Sequence, residues 1–81
     1  MSPEIHREHG LRFFFFSNEG DEPPHVHVRE GDSVAKLWLA PPGISYTMGF
    51  NPAELRRIRY IVEQRTAEFL EAWHEHHRIR D

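Results

Sequence analysis

The sequence predicts an α+β fold in two layers, with a mostly antiparallel sheet of four or five strands followed by one long C-terminal helix packed on one face. Three observations carry that prediction. Alternating runs flank Gly31-Asp32, the pattern of a two-residue hairpin. Phenylalanines fill positions 13–16, inside a run with no helical period. From Asn51 to about His77, apolar residues recur at helical spacing with no breaker after Pro52.

Taken in order, residues 4–7 read as a short strand leading to a turn at His9-Gly10. Residues 11–17 follow as a second strand, because aromatic side chains suit a pleated surface. Leu11, Phe13 and Phe15 share one face and form the core set, while Arg12, Phe14 and Phe16 share the other. A two-residue turn at His9-Gly10 places Arg7 opposite Arg12, a like-charge pair that disfavours this register. Residues 18–24 are polar and contain Gly and Pro, so they are expected to be a loop and the most mobile stretch.

In the hairpin, a Gly31-Asp32 turn sets Glu30 opposite Ser33, Val28 opposite Ala35 and His27 opposite Lys36. Val26 then faces Leu37, and His25 faces Trp38. One face carries Val26, Val28, Ala35, Leu37 and Leu39, which is core material. The other carries His25, His27, Lys36 and Trp38. After the breaker Pro41-Pro42-Gly43, residues 44–50 alternate, with Ile44, Tyr46, Met48 and Phe50 expected on one half-buried face. Asn51, Pro52 and Glu54 have the spacing of a helix cap, a first-turn proline and a capping box. Leu55, Ile58, Val62, Phe69, Ala72 and Trp73, with Ile61 alongside, form the stripe that lies on the sheet. The stripe is interrupted at Arg65-Thr66, where it drifts off the sheet. Arg59 and Glu63 are spaced for an ion pair. A single helix leaves the other sheet face to water, a ligand or another chain.

The 81 residues are expected to form a single domain with modest burial. A net charge of −3 disfavours a general polyanion binder. The absence of cysteine excludes disulfides and thiolate-bound zinc. The N-terminal residues lack the pattern of a signal peptide, and no apolar run approaches the ~20 residues of a membrane helix. A cytoplasmic protein without membrane contact is the expectation.

Three constellations carry chemical interest. His25 and His27 point the same way from one strand, and neutral imidazoles suit a divalent metal such as zinc, iron, nickel or copper. Asp21, Glu22, His6 and His9 are the third ligands near in sequence. Lys36 opposite His27 argues against a cation there, and no cofactor is firmly implied. The run Trp73-His74-Glu75-His76-His77 reads as a solvated helix end. The third constellation is the open sheet face. If Arg12, Phe14 and Phe16 join His25, His27, Lys36 and Trp38, aromatic rings and basic groups interleave, as at protein interfaces. The same composition suits single-stranded RNA or an anionic ligand, which the net charge disfavours. No nucleophile motif or phosphate-binding glycine loop is visible.

The segments Arg12-Phe13-Phe14-Phe15-Phe16-Ser17-Asn18, Pro23-Pro24-His25-Val26-His27-Val28 and Ala35-Lys36-Leu37-Trp38-Leu39 carry a resemblance. So do Gly49-Phe50-Asn51, Glu54-Leu55-Arg56 and Phe69-Leu70-Glu71-Ala72-Trp73. Together they resemble the small bacterial proteins grouped as domain of unknown function 4160, across about residues 3–76. His9-Gly10 stands where that family usually has Asn-Gly. The resemblance implies a bacterial cytoplasmic protein with a protein partner, encoded beside a second small protein in a toxin–antitoxin-like pair. It implies no catalytic residue. The leading expectation is therefore a non-enzymatic binding module that uses the open sheet face to hold a protein partner or a second copy of itself. The alternatives are a metal-dependent hydrolase or nuclease-like toxin using His25 and His27, and an RNA or anionic-ligand binder.

Overall fold

A computed structural model describes residues 4–78. The described chain forms five strands and two helices: β1 (Glu4–Glu8), β2 (Leu11–Phe14), β3 (His25–Glu30), β4 (Ser33–Leu39), β5 (Pro42–Met48), α1 (Pro52–Gln64) and α2 (Thr66–Arg78). The strands lie in chain order in one sheet, and every neighbouring pair is antiparallel. Each strand therefore pairs with the one before it, which short turns permit and a parallel sheet would not.

The β3–β4 hairpin has the register that its turn dictates. His25 lies opposite Trp38, Val26 opposite Leu37, His27 opposite Lys36, Val28 opposite Ala35 and Glu30 opposite Ser33. Gly31 takes a φ of 59° at the first turn position, as a type II′ turn requires. At the first hairpin, Arg7 does sit opposite Arg12. Two features outweigh the like-charge penalty. His9 and Gly10 both take positive φ, 54° and 79°, the pattern of a type I′ turn, and Arg7 is held by both carboxylate oxygens of Glu4 at 2.9 Å.

The core lies between the sheet and the helices. Leu11, Phe13 and Phe15 enter it from the second strand and its continuation. Val26, Val28, Ala35, Leu37 and Leu39 enter it from the central hairpin. Ile58, Ile61, Val62, Phe69 and Trp73 cover them from above, with Leu55 and Ala72 partly buried at the margin. Asn51 caps α1 with a complete capping box to Glu54, both bonds at 2.8 Å. The Arg59–Glu63 pair is formed at 3.1 Å.

Two expectations need correction. The helical layer is two helices rather than one. Arg65 leaves helical geometry at φ −116° and ψ 18°. The Thr66 hydroxyl donates 2.8 Å back to the Val62 carbonyl, a bond that competes with the helical ladder and bends it. The break lets α1 cover β4 and β5 while α2 continues over β4. The second correction concerns β5. Thr47 lies opposite the core residue Ala35, whereas Tyr46 and Met48 lie opposite Lys36 and Val34. Tyr46 and Met48 therefore face away from the helices, 51% and 68% exposed, while a register shift between Lys36 and Leu37 sets Ile44 opposite the core residue Leu37 and so on the other face. Of Ile44, Tyr46, Met48 and Phe50, Phe50 alone is buried.

Candidate functional site

Residues directly opposite each other in a sheet share a face, so the registers define rows across the side opposite the helices. One row runs Arg12, Arg29, Val34, Met48, and the next runs Phe14, His27, Lys36, Tyr46. A third holds His25 and Trp38. Arg12, Phe14, His25, His27, Lys36 and Trp38 thus share one face, and the Phe16 ring joins them by packing 4.4 Å from that of His27.

Exposure along this face is graded. Arg12, Arg29, Tyr46 and Met48 are exposed, whereas Phe14, Lys36 and Trp38 are half-buried. His25 and His27 are buried, at 0% and 6%. The cover is the segment 15–24 that joins β2 to β3. It is a loop anchored to the sheet by three of its residues. Glu19 Oε1 lies 2.7 Å from Nε2 of both histidines. Lys36 Nζ donates to Glu22 Oε1 at 2.8 Å, and the Leu39 amide donates to the Pro24 carbonyl at 3.0 Å.

The protonation inventory of this trio is constrained. His25 Nδ1 lies 2.9 Å from the Pro23 carbonyl oxygen, which can only accept. Nδ1 therefore carries a hydrogen, and Nε2 faces the Glu19 carboxylate. A neutral imidazole donates from one nitrogen only. A proton or a cation must therefore lie between His25 Nε2 and Glu19 Oε1, 2.7 Å apart, for their contact to be attractive. Burial raises the Glu19 carboxyl, but the hydrogen bonds from His25 and His27 outweigh it and hold the group below the usual carboxylate range. Burial lowers His27 below its ordinary value, and the Glu19 hydrogen bond opposes that only in part.

The third group on the two histidines is Glu19, which the proximity of Asp21, Glu22, His6 and His9 in sequence did not indicate. His6 lies on the helix side of the sheet against Phe13 and Phe69. His9 sits in the first turn, at the opposite end of the sheet from His25. Asp21 is exposed, and Glu22 is engaged by Lys36. Lys36 lies opposite His27 as expected, with a partner that the register did not indicate. Its ammonium is offset by Glu22 and lies 4.8 Å over the Trp38 ring. Nothing in local pattern marks Glu19, because a loop has no period from which to read direction.

At the uncovered end, Glu4, Arg12, Phe14, Phe16 and Arg29 line a cleft of about 220 Å³. Arg12 and Arg29 face each other across the strands and form no ion pair among the described residues. The C-terminal histidines belong elsewhere. His74 is exposed, but His76 and His77 are half-buried against Phe15, and the His77 ring also lies tilted against Trp73 with centroids 4.0 Å apart. That helix end is thus packed on one side rather than wholly solvated.

Among the described residues no helix is long and apolar enough to cross a membrane. A family model described as Domain of unknown function (DUF4160) matches residues 10–74. No curated protein and no solved structure matches the chain.

Proposed function

The chain belongs to the domain of unknown function 4160 family, and we propose that it is a non-enzymatic binding module whose open sheet face holds a protein partner. The observation that carries this reading is the Arg12–Arg29 pair beside the Phe14 and Phe16 rings. Like charges directly across two strands are destabilising; neither guanidinium forms an ion pair among the described residues, and Glu4, the acidic side chain on the cleft wall, is already bound to Arg7 and acts on Arg12 only at longer range. A carboxylate from outside would relieve that repulsion and accept paired N–H bonds from a guanidinium fork. The row continues through Val34 to the exposed Met48, with Tyr46 beside it. Aromatic, Met and Arg side chains are the types enriched at protein interfaces. The occupant that fits is an extended segment with acidic and apolar side chains. A bacterial cytoplasmic setting with a partner encoded alongside belongs to the same proposal.

The probe is a synthetic peptide alternating Asp with Leu and Phe, titrated against the full chain at low salt. Binding is expected, and Arg12→Ala should weaken it at least about tenfold, the loss of one charge-assisted hydrogen bond of about 1.5 kcal/mol. No binding, equal binding by the variant, or preference for a single-stranded oligoribonucleotide over the peptide would each overturn the proposal. Self-association of the chain through this face, measured by sedimentation and abolished by Arg12→Ala, would replace the acidic partner with a second copy.

A further inference from the structure

We propose that Glu19, His25 and His27 form a three-ligand site for a divalent transition metal, zinc above all, which clips the 15–24 loop to the sheet. The donors are Nε2 of each histidine and one carboxylate oxygen, and no two of the three donor atoms are more than 4.8 Å apart. Two imidazoles and a carboxylate are a known zinc set, in which a water takes the fourth position. Zinc–ligand bonds of about 2.0–2.2 Å in a tetrahedron set the donors roughly 3.3–3.5 Å apart. That separation lies between the 2.7 Å histidine–carboxylate contacts and the 4.8 Å limit of the cluster. The glutamate must withdraw by under about 1 Å, and the donors at the 4.8 Å limit must close by about 1.3 Å to reach that separation.

The surroundings prepare the site as well as the ligands do. A ligating histidine typically gives its other ring N–H to a carbonyl or carboxylate, which fixes the tautomer. His25 does so already, through Nδ1 to the Pro23 carbonyl at 2.9 Å. Its Nε2 then faces Glu19 Oε1 at 2.7 Å, with a proton or a cation between them. The rings of Trp38 and Trp73 stand 5.7 and 4.8 Å from that of His25, and Phe16 closes over His27. This apolar wall limits competing water. Lys36, which faces His27 across the strands, is partly offset by Glu22, though its charge still acts on His27. Access is from the loop side, where the Glu19 side chain keeps 20% exposure.

The effect of the metal is structural. It joins residue 19 to the start of β3 in a chain without disulfides, and metal binding to a folded site stabilises the fold directly. It also sets His27, against which Phe14 and Phe16 pack at 5.7 and 4.4 Å. The inference stands without the partner proposed above, since it concerns the covered end of the face.

The test uses the full chain without an affinity tag, stripped of metal. Zinc is titrated in competition with a chromogenic chelator, and cobalt is substituted to read the coordination geometry by absorption. One equivalent is expected, with the intense visible bands of a four-coordinate site and a rise in Tm. Glu19→Gln alters an exposed-side loop residue, and near-UV circular dichroism confirms its fold. It should weaken zinc at least about tenfold and remove the Tm rise. His74→Ala, on the exposed helix surface, should bind as the wild type does. Absence of stoichiometric zinc in the wild type, unchanged affinity in Glu19→Gln, or loss of binding in His74→Ala would each overturn the site.

Discussion

Gly49 shows how one residue can couple backbone conformation to packing. It takes φ 97°, and a Cβ there would stand 2.6 Å from Ser33 Oγ and 3.0 Å from Ser33 Cα. The hydroxyl can rotate away, but the backbone atom cannot. An L-residue in the left-handed region costs roughly 1–2 kcal/mol, and overpacking against fixed atoms adds about 1–3 kcal/mol. Gly49→Ala should therefore lower stability by about 2 kcal/mol or more, read as the shift of the urea midpoint at constant slope. A loss under about 0.5 kcal/mol, the range of an ordinary surface change, would show that the turn after β5 yields where it is expected to be rigid. This contact between Gly49 and Ser33 also places the start of β4 against the chain that enters α1.

Among the elements, legibility in the sequence depended on whether a period or a turn existed to be read. The β3–β4 hairpin was legible to the individual pair, because a two-residue turn leaves a single register and alternation does the rest. The core stripe Leu55, Ile58, Val62, Phe69 and Trp73 was legible for the same reason. The helix break was visible only as a gap in that stripe, since neither Arg65 nor Thr66 ends a helix by propensity. What ends it is a hydroxyl bonding backward and a sheet that α2 must follow. The face of β5 was misread because strict alternation was assumed, whereas the register shifts between Lys36 and Leu37 and puts Ile44 on one face and Tyr46 and Met48 on the other. Glu19 was not legible at all, lying in a loop. The joint between the helices carries a testable consequence. Arg65 approaches Glu8 of β1 at 3.4 Å, and Glu8 also takes a 2.8 Å hydrogen bond from His6. That bond, with Arg65 nearby, holds the Glu8 carboxyl below its usual range. A carboxyl whose folded pKa is lowered stabilises the fold above its unfolded value, and the contribution is lost as pH falls through the folded value. The stability gap between wild type and Glu8→Gln should thus narrow from about pH 5.5 to about pH 3, on either side of the unfolded glutamate value near 4.3. A gap that stays constant over that interval would remove Glu8 from the acid response.

For the whole molecule, the question is how a chain of net charge −3 could hold an acidic segment. The described residues extend 38 × 24 × 20 Å, while the screening length is about 10 Å at 0.1 M salt. Carboxylates on the far side of the helices are therefore largely screened from the cleft, whereas Arg12 and Arg29 act on a ligand at contact distance. The net charge governs long-range approach, and the local pair governs the bound state. Raising salt from about 0.1 M to about 1 M shortens the screening length to about 3 Å and should weaken the alternating acidic peptide markedly in the wild type. In Arg12→Ala/Arg29→Ala the residual affinity rests on the apolar row from Val34 to Met48, and the same change of salt should leave it nearly constant. Isothermal titration of both proteins at the two salt concentrations measures this difference directly. Equal salt dependence in the two proteins would mean that the guanidinium pair does not contact the peptide, and the recognition surface would then have to be sought along the β5 edge alone.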